Sequence, residues 1–223
     1  MTVDAVLFDL DETLIEYERP ASAVLEATFD AVGVDPFFEV RDFQDRYDDF
    51  LPQSESISHL RELIFADIAT DRGHEPELGR AIARRYADER DHSRVRLLPG
   101  APALLDAIAD RPLGLVTNGD PEMQRPKLAA TGLADRFETV VYAGHDTASK
   151  PDAEPFERAL ADLDVGPSTS AFVGNDPIAD VHGSQAVGLR SVWIRNGTDE
   201  TPAVEPDTTI DCLDELHDTW LVR

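Results

Sequence analysis

A single cysteine, Cys212, stands in the 223-residue chain, so no intrachain disulfide can form. It lies near the C-terminus, away from any histidine cluster, and a structural role is expected for it. Lysine is almost as scarce: Lys127 and Lys150 are the only two, and every other basic residue is arginine. No apolar run approaches the roughly 18 residues needed to cross a bilayer. The opening Met1-Thr2-Val3-Asp4 has neither a basic n-region nor a long apolar h-region, so no signal peptide is read there and a cytoplasmic protein is expected. Internal repeats and low-complexity tracts are missing too. The six histidines are scattered without ligand spacing, and His182 is expected on a helix surface.

Acid is what the chain has in excess: 45 Asp and Glu against 20 Lys and Arg, a net charge of −25. Nucleic acids and anionic membranes both need a positive face, so neither is expected as a partner. Apolar residues make up 42% and are spread periodically, which excludes disorder. We read the charge as an adaptation to a salt-rich cytoplasm, as in a halophilic archaeon. There the Debye length falls to about 3 Å at 1 M salt, and self-repulsion is screened. The scarcity of lysine supports that reading.

Val3 to Phe8 is a continuous apolar run that predicts a fully buried strand. From about Arg19 to Arg96 the pattern turns helical, with Gly33 and Gly73 as stop signals and Ser56 able to cap the stretch from Ile57. Beyond Pro99-Gly100, strand-like runs at Leu113–Val116, Thr139–Tyr142, Ala171–Val173 and Ser191–Ile194 alternate with helical stretches at Asp120–Thr131, Glu154–Leu163 and Pro177–Val187. Such alternation calls for a parallel sheet with right-handed crossovers. Strands this apolar are covered on both faces. The expected fold is α/β, a doubly wound parallel-sheet core of Rossmann-like type over residues 1–15 and 97–223, interrupted by an all-helical insert over 16–96.

Four polar turns follow strand-like segments. In Val6-Leu7-Phe8-Asp9-Leu10-Asp11, two carboxylates stand where a parallel sheet binds ligands, beyond the carboxyl end of a strand. Asp9 can attack phosphorus or carbon as a covalent nucleophile. Asp11 can protonate the leaving group and then activate water. Paired oxygens also favour a hard cation such as magnesium. A strand ending in an ordinary polar turn would look the same. In the second turn, Thr117-Asn118-Gly119-Asp120-Pro121 opens a helix whose N-terminus, with Thr117, can hold phosphate oxygens. The third holds Lys150, a point charge suited to a phosphoryl group. A solvated turn lysine is the plain alternative, weakened in a chain that has nearly discarded lysine. Lys127 is expected on a helix, away from the chemistry. The fourth turn, Gly174-Asn175-Asp176, with Asp180 beyond it, clusters oxygen ligands, though capping acids at a helix start would suffice. The pair Arg84-Arg85, balanced by Asp88 and Glu89, reads as a solvated helix face.

Together these turns resemble the four motifs of the haloacid dehalogenase superfamily across nearly the whole chain. Leu98-Pro99-Gly100-Ala101, Val116-Thr117-Asn118-Gly119, Ser149-Lys150-Pro151-Asp152 and Asp180-Val181-His182-Gly183 with Gly188 carry the likeness. The resemblance implies a nucleophile at Asp9 and a general acid/base at Asp11. It implies substrate binding by Thr117, Asn118 and Lys150, and magnesium held at Asp9, the Asp11 backbone carbonyl, Asn175 and Asp180. It makes the insert a small helical cap and the protein a magnesium-dependent phosphatase of a small phosphorylated metabolite. The fourth motif departs from the family, with Asn175 where Gly-Asp is usual, so an amide replaces a charged ligand and Asp176 or Asp180 is left to compensate. Alternatives on this fold are a 2-haloacid dehalogenase, which needs neither Asp11 nor metal, a phosphomutase, and a non-catalytic binding protein.

Overall fold

The computed structural model describes residues 3–197 and 202–222; Met1 and Thr2, read above with the N-terminal stretch, lie outside them. The chain divides into two compact units, Met1–Glu16 with Val95–Arg223, and Tyr17–Arg94. In chain order, β1 (Ala5–Phe8) and β2 (Ile15–Tyr17) come first. Five helices follow: α1 (Ala21–Val32), α2 (Val40–Gln44), α3 (Tyr47–Phe50), α4 (Ile57–Asp71) and α5 (Pro76–Glu89). Then come β3 (Val95–Leu97), α6 (Ala101–Ala107), β4 (Leu113–Asn118), α7 (Pro121–Thr131), β5 (Thr139–Ala143) and α8 (Ala153–Asp162). Next come β6 (Ser170–Gly174), a π-helical turn Pro177–His182, α9 (Gly183–Ala186), β7 (Arg190–Ile194) and β8 (Thr208–Ile210), followed by a 3-10 helix at Leu213–Asp218.

Six strands form one sheet in the order β5-β4-β1-β6-β7-β8, and every pairing in it is parallel. β1 is buried throughout, because a strand flanked on both edges and both faces leaves no position for a polar side chain. Leu7 sits beside Gly114 on one neighbour and Phe172 on the other. The chain builds outward from β1 in one direction through β4 and β5, then in the other through β6, β7 and β8. That reversal is the switch point of a doubly wound sheet, and it opens a crevice beyond the carboxyl ends of β1, β4 and β6. Beneath the crevice, α8 places Phe156, Ala159 and Leu160 against Leu7, Val116, Val141 and Phe172. Phe156 meets Phe172 edge-on at 5.0 Å. Each such burial contributes about 1.5–3 kcal/mol, and the rigid floor it makes fixes the strand ends above.

The four strand-like runs after Pro99 are strands, each extended by a residue or two. The stretch Pro177–Val187 is not one α-helix. The carbonyl of Asp176 accepts from both Asp180 N at 3.0 Å and Val181 N at 3.2 Å, which widens the turn. Asp176 caps it, accepting from the Ile178 and Ala179 N–H groups at 2.8 Å. Cys212 is exposed rather than packed into the structure.

The second unit is helical apart from Tyr17. Ser56 caps α4, accepting the His59 N–H at 3.1 Å, and Gly33 ends α1 in a left-handed conformation. Its core gathers Leu25, Phe29, Phe38, Leu60, Ile64, Phe65, Ile68 and Ile82. Helices α4 and α5 approach most closely at Gly79, where a Cβ would lie 2.1 Å from the Phe65 carbonyl oxygen. Arg84 pairs with Glu62 and Glu77, and Arg85 with Glu89, on an exposed face. No helix among the described residues is long and apolar enough to cross a membrane.

Candidate active site

Asp9 leaves β1 with its N–H still donating to Val173 O at 2.9 Å, so the ladder with β6 fixes its backbone. Its carboxylate is buried. Lys150, also buried, reaches in from the loop after β5 and donates from Nζ to Asp9 Oδ1 and to Asp180 Oδ1, both at 2.7 Å. The other oxygen of Asp180 accepts the N–H groups of Asn175 at 3.0 Å and Asp176 at 2.9 Å. Two carboxylates thus share one ammonium. Burial pushes Asp9 up to about 7, Asp180 adds to the rise, and Lys150 opposes it. For Lys150, burial disfavours the charge, but Asp180 and Asp9 outweigh it and hold the ammonium above the ordinary lysine value. The two shifts have different origins: Asp9 rises chiefly because it is buried, and Lys150 rises because two carboxylates flank it.

Asn118 places the lysine. Its Oδ1 accepts from the Lys150 N–H at 2.9 Å and its Nδ2 donates to the Lys150 carbonyl at 3.1 Å, just before a cis bond to Pro151. Both ends of the Asn118 amide are therefore committed to the main chain of the loop.

Thr117, buried at the end of β4, accepts from Gln124 Nε2 at 2.8 Å. The same nitrogen lies 3.0 Å from Asp11 Oδ2. Lys127 donates to both oxygens of Asp11 at 2.8 Å. This overturns the expectation for Lys127: it lies on helix α7, but on the inner face, 2% exposed and tied to Asp11 of the first turn. Gln124, which no motif in the sequence marks, joins the site here. The fourth turn brings Asn175 into the group, its Oδ1 accepting from Thr13 Oγ1 at 3.1 Å and its carbonyl from Trp193 Nε1 at 2.9 Å. Asp176 is exposed and occupied as a cap, and His182 is exposed as well.

The residues singled out in the sequence therefore fall into two linked groups. Asp9, Lys150 and Asp180 form one, with Asn118 behind it. Asp11 and Thr117 form the other, joined through α7. Among the described residues no group of three or more His, Cys, Asp or Glu side chains is arranged to hold a metal. The oxygen donors at hand are mixed: the Asp9 carboxylate, whose Oδ2 has no hydrogen-bond partner among the described residues, and the Asn175 amide.

The chain matches the haloacid dehalogenase-like hydrolase family over residues 3–188. It is 33% identical to the phosphoserine phosphatase of Thermus thermophilus, with 95% of this chain and 96% of that protein covered. It is 29% identical to the ribulose-1,5-bisphosphate 5-phosphatase of Halopiger xanaduensis, with 96% and 98% covered. Among solved structures, the 2-haloacid dehalogenase from Pseudomonas syringae pv. Tomato DC3000 superimposes with a TM-score of 0.68 at 27% identity, covering 96% of each chain.

Proposed function

Because the chain belongs to the haloacid dehalogenase-like hydrolase family, and so is a hydrolase, we propose that it is a magnesium-dependent phosphatase of a small phosphorylated metabolite, working through an aspartyl-phosphate on Asp9. The observation that carries this reading is the Lys150 ammonium held between Asp9 and Asp180 at 2.7 Å from each. A buried cation fixed beside a carboxylate at a strand end suits an anionic substrate that the carboxylate must approach. The named phosphatases among the relatives support the substrate class.

In this mechanism Oδ2 of Asp9 attacks phosphorus while Lys150 offsets the charge gathering on the phosphoryl oxygens. The bond to the leaving oxygen breaks, and Asp11 delivers a proton to that oxygen. Thr117 holds a phosphoryl oxygen through its hydroxyl. Asp11, now a base, takes a proton from water, which attacks the aspartyl-phosphate and frees phosphate and Asp9. Asn118 acts on this chemistry through the position of Lys150.

The donor set fits magnesium, which takes one or two carboxylates with neutral oxygens and water. Asp9, the Asp11 backbone carbonyl and Asn175 would hold it directly. Asp180, whose oxygens serve Lys150 and two N–H groups, would act on it through water. When bound, magnesium neutralises charge on the Asp9 carboxylate and the phosphoryl group. In the same reading residues 1–15 and 97–223 are the catalytic core and 16–96 the cap that selects the substrate.

The test is hydrolysis of a generic phosphate ester at molar salt with and without magnesium, for the wild type and Asp9→Asn. Turnover should need both the metal and Asp9. An active Asp9→Asn enzyme overturns the covalent mechanism. Release of halide from a 2-haloacid, with no phosphatase activity, would favour the dehalogenase reading.

A further inference from the structure

Gln124 and Lys127 stand three residues apart on one face of α7, and both are buried inside the site. The Gln124 amide nitrogen faces three oxygens: Thr117 Oγ1 at 2.8 Å, Asp11 Oδ2 at 3.0 Å and Asn118 O at 3.4 Å. Reversing the amide would set its oxygen against a carboxylate and a carbonyl, so electrostatics fixes its orientation. The opposite atom, Oε1, is buried and has no partner among the described residues. Leaving a buried acceptor unmet costs about 1–3 kcal/mol. The side chain is thus held for what its nitrogen does. Gly119 makes room for it, since a Cβ there would lie 2.8 Å from Nε2.

Lys127 is as deeply buried, and it engages both oxygens of Asp11, a side chain that is itself 34% exposed. A surface-facing carboxylate would ordinarily sample several rotamers. Here one oxygen is held by the ammonium and the other by the ammonium and the amide together.

We infer that Gln124 and Lys127 are positioning residues for Asp11, fixing its carboxylate at a set place beside Thr117. The inference rests on the reading of Asp11 as proton donor. In the first chemical step the Asp9–phosphorus bond forms, the bond to the leaving oxygen breaks, and the proton passes from the Asp11 carboxyl to that oxygen. Asp11 then has to take a proton from water, and the pair holds the same carboxylate in place for that second step.

A group that serves proton delivery matters in proportion to the leaving group's need for a proton. An alkyl phosphate needs one; 4-nitrophenyl phosphate, with its acidic phenol, needs it far less. Lys127→Met should lower kcat on an alkyl phosphate by roughly 10–100-fold, less than the 10²–10⁴-fold expected for losing the acid–base group itself. On the nitrophenyl ester the loss should be several-fold at most, and KM should change little on either. Added to Asp11→Asn, Lys127→Met should cost nothing further on the alkyl ester. Gln124→Met should show the same pattern more weakly, and it carries the test if Lys127→Met does not fold at molar salt. Equal losses on the two esters, or an undiminished loss in the Asp11→Asn background, overturn the inference while the phosphatase reading stands. A wild type inactive on both esters removes that reading, and this one with it.

Discussion

Asp9 is an acid in a place that resists its charge. Its ordinary pKa of 3.8 rises to about 7 in the fold, chiefly through burial and then through Asp180. Between those values the folded protein keeps a proton that the unfolded chain has lost. The site's contribution to stability is therefore whole below pH 3.8 and disappears as pH climbs through about 7. Asp9→Asn removes that titration. Without magnesium and at molar salt, the wild type should lose stability relative to Asp9→Asn as pH goes from about 5 to 7.5, by on the order of a few kcal/mol. Urea unfolding of both proteins across that range measures it, and a constant difference would show that Asp9 titrates normally. How much of this site is legible in the sequence depends on the residue. Asp9 and Lys150 stand out because a carboxylate after a buried strand and a rare lysine in a turn are each unusual. Lys127 carried the same rarity, but a lysine on a helix is normally solvated, and that default hid it. Gln124 gives no sign at all, since a glutamine's value lies wholly in which oxygens surround it.

At the scale of elements, the strands were readable because burial on both faces forces runs such as Val6-Leu7-Phe8. β8, three residues with only Ile210 buried, has no such pattern to read. The π-helical turn at Pro177–His182 was not readable either. Its helical periodicity is real, and only the doubled use of the Asp176 carbonyl distinguishes it. The close pass of α4 and α5 is a similar case, where one glycine decides how near two helices come. Gly79→Ala would bring a methyl group to 2.1 Å from a backbone oxygen that cannot rotate away. The helices must part, and the aromatic packing around Phe65 must loosen with them. Overpacking of this kind costs about 1–3 kcal/mol. Thermal unfolding at molar salt should show it, although alanine is the better helix former. A variant as stable as the wild type would mean that the helices separate freely.

At the scale of the molecule, charge dominates. A net −25 on 223 residues leaves most carboxylates without a cation, and the arginine pairs on the surface contribute little each. Raising salt from about 0.1 M to 1 M shortens the Debye length from about 10 Å to 3 Å and removes most of the repulsion. Melting temperature and activity should both climb into the molar range of KCl. Greatest stability in dilute buffer would overturn the saline reading of the composition. The same chemistry has emptied the exterior of lysine and kept Lys127 and Lys150 inside, 2% and 4% exposed. Their enclosure turns the chain into its own unfolding gauge. A lysine-specific protease meets no accessible bond while the core is shut, and each cut dates an opening at α7 or at the loop after β5. Amine-directed labels and crosslinkers that decorate ordinary enzymes harmlessly would find their only side-chain targets beside Asp9 and Asp11.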